Sequence, residues 1–218
     1  MAGMESGSVD LIVTDPPYLI GYKTHHRPDG HRFKSEILND KGKEAKKMVS
    51  DYIRECYRIL KDDSAAYFFT CTKTLEFFRS ECAAAGFNVK NLIVWDKGNW
   101  TMGDLECQYG QMYEFIVYCN KGNRKINGKR LPDIWRVPRV ATQDLVHQNQ
   151  KPVDLIGLCV LKSSEEGGVV FDGFMGSGTT AISCIRTKRH FIGYELDKGY
   201  YDIASRRVRL ERAQPELF

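Results

Sequence analysis

Two short apolar runs in this 218-residue chain end at residues that cannot continue a strand, and a carboxylate stands at each stop. Val9-Asp10-Leu11-Ile12-Val13-Thr14 reads as a buried strand, halted by Asp15-Pro16-Pro17 because proline fixes φ and has no N–H to donate. Residues 168–171 form the second, which runs into Asp172-Gly173-Phe174-Met175-Gly176-Ser177-Gly178-Thr179-Thr180. Other strands are predicted at 65–70, 89–95, 113–119 and 191–194, bounded by turn and helix signals. Helices are predicted at 43–61, 75–85, 152–161 and 179–187 and from 198 onward. The first carries Met48, Tyr52, Ile53, Cys56 and Ile59 at spacings of three and four, and the second stops at Gly86. Strands alternating with helices predict one α/β domain over 1–218, built on a mostly parallel, doubly wound sheet. Ligands of such a sheet sit at the carboxyl ends of its strands, where both stops lie.

Those stops carry groups suited to a nucleoside ligand and a base. Glycines after a strand let backbone approach a ligand, and Gly176, Ser177, Gly178 and Thr179 lead into helix N-terminal amides. Asp172 can meet a cationic amine. About 20 residues on, Gly193-Tyr194-Glu195 ends the next strand, placing Glu195 to accept hydrogen bonds from two ribose hydroxyls. A phosphate-binding P-loop is excluded because Gly178 is followed by threonine, not lysine, and the glycine spacing differs from G-x-G-x-x-G. Asp15-Pro16-Pro17-Tyr18 fixes a carboxylate, free carbonyls and an aromatic face, although a structural turn with a packed tyrosine would look the same. The amino nitrogen of adenine or cytosine has its lone pair delocalised into the ring. Asp15 and the Pro16 carbonyl can accept its two N–H bonds and free that pair, while Tyr18 stacks on a base swung out of the duplex.

Charge agrees in its distribution more than in its net value of +4. Arg124, Lys125, Lys129, Arg130, Arg136 and Arg139 face only Asp133 in the 121–139 stretch, and Lys23, Arg27, Arg32 and Lys34 follow the Asp-Pro-Pro-Tyr turn. Such clusters suit phosphates, with a solvated surface as the alternative. Segment 121–150 reads as a loop or small lobe. No apolar run approaches the ~18–20 residues of a membrane helix, and the N-terminus lacks a secretory pattern, so a cytoplasmic protein is expected. Seven scattered cysteines without C-x-x-C predict reduced core thiols and no zinc. His25, His26 and His31 have no acids at ligand spacing and are expected to face DNA or solvent. Trp95 is expected in the core; Trp100 and Trp135 are expected either there or on nucleic acid.

The sequence resembles the β group of DNA amino-methyltransferases, in which the catalytic tetrapeptide precedes the cofactor motif. The resemblance rests on Ser8-Val9-Asp10-Leu11 through Tyr18, Tyr57-Arg58-Ile59-Leu60-Lys61, Ile93-Val94-Trp95-Asp96-Lys97, His147-Gln148-Asn149-Gln150-Lys151-Pro152, the 171–180 turn, and Gly193-Tyr194-Glu195 with Tyr201. It implies a Rossmann-like methyltransferase fold and S-adenosyl-L-methionine as cofactor, held by Phe171, Asp172, Gly173, Gly176 and Glu195 with Lys151. It implies a flipped base at Asp15–Tyr18, double-stranded DNA as partner, and a target-recognition insertion at about 97–147. An acid heading the tetrapeptide is typical of adenine-N6 enzymes. Cytosine-N4 and RNA adenine are the alternatives, as is a catalytically silent DNA- or cofactor-binding protein. Cytosine-C5 chemistry needs a cysteine nucleophile, typically after proline, and no Pro-Cys occurs. A homodimer and a paired restriction enzyme are left open, and the short recognition region implies a short or loosely defined site, as in orphan enzymes of bacterial viruses. Three features depart from the group. Gly173 stands where proline is usual, Gln148 where proline is common, and the strand that usually precedes the Ser-Val-Asp-Leu start is not seen. A sheet edge near the cofactor is then either absent or supplied by another segment.

Overall fold

The computed structural model describes residues 1–21, 40–101, 106–147 and 149–214. The first strand, β1 (Val9–Thr14), is followed by α1 (Gly42–Ile59), β2 (Leu60–Thr70), α2 (Leu75–Ala85) and β3 (Asn88–Thr101). Next come β4 (Gln111–Lys121), the short β5 (Ile134–Arg136), α3 (Val153–Ser163), β6 (Val169–Asp172), α4 (Thr179–Arg186), β7 (His190–Gly193) and α5 (Lys198–Ala213). All seven strands join one sheet in the order β5-β3-β4-β2-β1-β6-β7. Every pairing is parallel except those of β4, which runs against both β2 and β3.

Alternation along the central strands divides the core between the two faces of the sheet. Ile12 and Phe68 point to one side, where Val49, Ile53 and Cys56 of α1 and Phe78 of α2 cover them. Leu11, Val13, Tyr67 and Phe69 point to the other, against Leu155, Cys159 and Val160 of α3. This is the doubly wound arrangement that the strand–helix alternation implies. Pro152 caps α3 at its N-terminus, and Gly86 ends α2 with φ of 104°, a left-handed geometry that costs glycine little.

Segment 97–147, expected to carry target recognition, contributes β4, an interior strand, and β5, an edge, to the main sheet. Segment 121–150 looked irregular because β5 is only three residues long, too short for a period-2 pattern, yet it pairs in register with Val94–Asp96. Trp135 in β5 is buried beside Tyr67, so it belongs to the core, as Trp95 does. Trp100, near the tip of the β3–β4 hairpin, is 71% exposed. Residues 1–8 contain no strand, and β7 is the sheet edge on the side of the glycine-rich turn among the described residues.

Candidate active site

β1 and β6 lie side by side, with Ile12 opposite Phe171, so the turns that follow them open at the same end of the sheet. A side-chain lattice joins the strand tips. Thr14 Oγ1 donates to Asp172 Oδ1 at 3.0 Å and shares a 2.8 Å hydrogen bond with the Tyr52 hydroxyl. That hydroxyl accepts from the Gly173 N–H at 3.1 Å. Asp172 also accepts from the Phe174 N–H at 3.1 Å and from Thr180 Oγ1 at 2.6 Å. Burial pushes its carboxyl up to about 6 against the pull of these donors. The expected amine-binding acid thus holds three donors from β1, the turn and α4. A Cβ at Gly173 would run into the Tyr52 ring, so the close approach of this ring to the turn requires glycine.

The glycine-rich turn closes onto β7. Met175 N–H donates to the Tyr194 carbonyl at 2.9 Å, and the Glu195 carboxylate accepts from the Gly176 N–H at 2.8 Å and the Asp197 N–H at 2.7 Å. Gly176 has φ of 53° and Gly178, the cap of α4, 84°. Ser177 is buried and its oxygens accept from Arg207 of α5. His147 stacks edge-on against Tyr200, 4.2 Å between centroids, and its Nδ1 accepts from the Asn149 N–H. Burial, aided by the charge of Lys151, lowers this imidazole to about 4, so it is neutral at physiological pH.

The second turn presents a cluster of charges. Lys151 Nζ lies 2.5 Å from Asp15 Oδ2 and 3.3 Å from Glu114 Oε2, and Lys97 Nζ lies 2.6 Å from Glu114 Oε1. Tyr18 donates its hydroxyl to Glu114 Oε2 at 2.9 Å, and its ring lies under the Lys151 ammonium, 5.4 Å away. Asp15 Oδ1 is buried and has no hydrogen-bond partner among the described residues. Burial raises the Asp15 carboxyl above its usual range, Glu114 adds to this, and Lys151 opposes it. Burial would also raise Glu114, but Lys151 and Lys97 hold it down to about 2. Lys151, expected with the cofactor residues, therefore sits with the tetrapeptide. Glu114 escaped the sequence reading. Its signal was a lone acid within an aromatic and β-branched strand, Gln111-Met112-Tyr113-Glu114-Phe115-Ile116-Val117.

Both turns face one cavity of ≈ 600 Å³, within the range of small-molecule sites. Asp15, Pro16, Pro17, Tyr18, Asp172, Gly173, Gly176, Ser177, Thr179, Glu195 and Lys151 all line it, while Phe171 lies fully buried beneath. The anticipated DNA contacts are divided. Lys23, Arg27, Arg32 and Lys34, with His25, His26 and His31, lie outside the described residues. β4 runs downward, so Arg124, Lys125, Lys129 and Arg130 emerge at the far end of the sheet. Arg124 there pairs with Glu165, and Lys162 donates to the Lys129 carbonyl. From Glu114 to Lys121 the strand carries the chain seven residues, roughly 23 Å at ~3.3 Å each. β5 then returns upward, which brings Arg136, 3.5 Å from Asp96, and Arg139 to the cavity end. The basic run is therefore not one continuous face.

Residues 9–206 match the family model described as DNA methylase. The DNA adenine methyltransferase YhdJ of Escherichia coli (strain K12) is 30% identical over 92% of this chain and 76% of its own. The type II methyltransferase M2.MboI of Moraxella bovis is 26% identical over 95% and 83%. Among solved structures, the M1.HpyAVI–SAM complex superposes with a TM-score of 0.71 at 23% identity, covering 95% of this chain and 90% of that one, which shows the common fold. With both turns on one cavity and a family match along nearly its whole length, the chain belongs to the DNA methylase family, the S-adenosylmethionine-dependent amino-methyltransferases of DNA.

Proposed function

We propose that this enzyme methylates N6 of adenine in double-stranded DNA, with Asp15 as the residue that engages the amino group. The observation that carries this reading is Asp15 Oδ1, a buried acceptor without a partner among the described residues, in the same cavity as the glycine-rich turn. A buried acceptor left unpaired costs about 1–3 kcal/mol, so the site gains when a donor arrives. An exocyclic amine offers two N–H groups, one for Oδ1 and one for a tetrapeptide carbonyl.

The cavity fits S-adenosylmethionine in volume and donor set. The Gly173–Gly178 turn provides backbone close to the cavity, and Glu195 stands at the tip of β7 to meet a ribose. When bound, this cofactor supplies a methyl group already activated by its sulfonium. The protein then has to orient and desolvate. Tyr18 offers a ring to the flipped base, with its hydroxyl tied to Glu114 so that the ring cannot swing. Asp15 accepts from the amine, pulls its nitrogen toward tetrahedral geometry, and so localises the lone pair. Arg136 and Arg139 at the cavity end, with Trp100 on the β3–β4 hairpin, meet the duplex.

Adenine is favoured over cytosine-N4 by the acid at position 15 and by the adenine specificity named for the Escherichia coli relative. The test is transfer of labelled methyl from S-adenosylmethionine to unmethylated duplex DNA, followed by digestion and identification of the modified nucleoside by mass. N6-methyladenine is expected. N4-methylcytosine would refute the base assignment, and transfer surviving in Asp15→Ala would refute the role of Asp15.

A further inference from the structure

Four charges meet at the mouth of the cavity from four different places in the chain. Asp15 comes from the end of β1, Lys97 from β3, Glu114 from β4 and Lys151 from the turn before α3. Their side chains are only 8–25% exposed. Burying ion pairs is a poor way to stabilise a fold, because desolvation offsets the attraction and apolar side chains of equal volume do as well. The cluster therefore calls for a reason beyond stability.

Its wiring supplies one. Glu114 is the hub: Oε1 takes Lys97, and Oε2 takes both Lys151 and the Tyr18 hydroxyl. Two lysines and two carboxylates sum to zero. Lys151 is shared, so it engages one oxygen of Asp15, and the other has no hydrogen-bond partner among the described residues. Without the Glu114 charge, two ammonium groups would face a single carboxylate, and Lys151, already 2.5 Å from Asp15 Oδ2, would have no second carboxylate to hold it away from Oδ1.

We infer that Glu114 is a positioning residue for methyl transfer: it draws Lys151 to one side of Asp15, reserves Asp15 Oδ1 for the amine, and keeps the protein charge neutral where a cationic methyl donor must sit. The inference rests on the amino-methylation reading given above. Among the described residues, the other titratable groups that act on Asp15 or Lys151 are Tyr18, from the β1 side, Asp172, from the tip of β6, and His147, from the turn of Lys151 itself.

The test compares wild type, Glu114→Gln, and Glu114→Gln combined with Lys97→Met, which restores neutrality. Glutamine keeps an acceptor for Tyr18 but removes the charge. In single-turnover transfer to duplex DNA, Glu114→Gln is expected to lower the rate about 10- to 100-fold. The acid limb of its pH profile should move to lower pH, because the neighbour that raises Asp15 has gone. Without DNA, calorimetry should show its affinity for S-adenosylmethionine falling relative to neutral S-adenosylhomocysteine. The double variant should regain most of the rate and of the binding ratio. A wild-type rate, pH profile and binding ratio in Glu114→Gln would overturn the inference while leaving the methylation reading intact. A loss that Lys97→Met does not relieve, or a failure of both variants to fold, would also overturn it, reducing Glu114 to a structural strut. Absence of transfer by the wild-type enzyme would sink the parent reading, and this inference with it.

Discussion

The two strand-end aspartates lie at neighbouring tips of one sheet, Asp172 buried and Asp15 with one oxygen buried, and their hydrogen bonding differs. Asp172 accepts from Thr14, Phe174 and Thr180, so its oxygens are occupied by the fold. Asp15 has one oxygen against Lys151 and the other against nothing described. A satisfied buried carboxylate ties elements together, whereas an unsatisfied one waits for a donor. On the proposed function, the difference separates the group that builds the cavity from the group that acts in it.

The strongest way to break this comparison is to exchange losses between the two sites. Asp15→Ala should reduce methyl transfer by about 10³-fold or more, by analogy with deletion of a preorganised polar group. It should leave cofactor affinity near wild type, since the proposed partner of Asp15 is the base. Glu195→Ala should do the reverse, weakening the cofactor with a far smaller effect at saturation. Calorimetry with S-adenosylmethionine beside saturating turnover assays separates the two, and equal losses of cofactor affinity in both variants would contradict the division.

For Asp172 the expected loss is stability, with a definite pH sign. Its folded carboxyl stands at about 6 against an ordinary 3.8, so the folded state holds the proton more tightly than the unfolded chain does. The group's contribution is then most favourable below pH 4 and is lost as pH rises from about 4 to 6. The span is on the order of 2–3 kcal/mol, from ~1.4 kcal/mol per pH unit. Asp172→Asn cannot ionise, and its unfolding free energy in urea should lack that component of the slope. Retention of the full wild-type slope between pH 4 and 6 would place the titration elsewhere. A smaller effect is expected one residue on. Gly173→Ala brings a Cβ into the Tyr52 ring and should cost about 1–3 kcal/mol, as overpacking does, read as a lower midpoint in thermal unfolding.

Both turns were legible in the sequence because each is local: a β-branched run, then residues that stop it, carry its acid and permit close approach. The helix spacings in α1 and the glycine ending α2 are legible for the same reason. What escaped depends on contacts distant in the chain. Glu114 matters only because β4 runs antiparallel between β2 and β3 and delivers it beside Lys151, 37 residues later by position. The orientation of β4 has no local signature, since an apolar strand reads alike in either direction. The sequence neighbours of Lys151 point to the cofactor residues, and nothing local signals the contacts its ammonium makes with Asp15 and Glu114. The division of the basic stretch is equally non-local, since a run of cations looks continuous until the chain is folded through β4, a far-end loop and β5.

That folding yields the last and smallest test, which sharpens the comparison between the two ends of the sheet. Arg139 lies between β5 and the cavity-lining His147–Lys151 turn, whereas Lys125 lies beyond the far end of β4. Both are exposed and separated by only 14 positions, so composition treats them as equals. If DNA approaches the cavity end, Arg139→Ala should weaken duplex binding severalfold. It should also make the slope of log affinity against log salt shallower by about 0.9, the value for one lost phosphate contact. Lys125→Ala should change neither quantity, because no duplex engaged at the cavity reaches the opposite end of the sheet. Equal salt slopes in the two variants would mean that DNA wraps the whole domain. The division between a chemical end and a structural end would then fail for the nucleic acid, even if it held for the two aspartates.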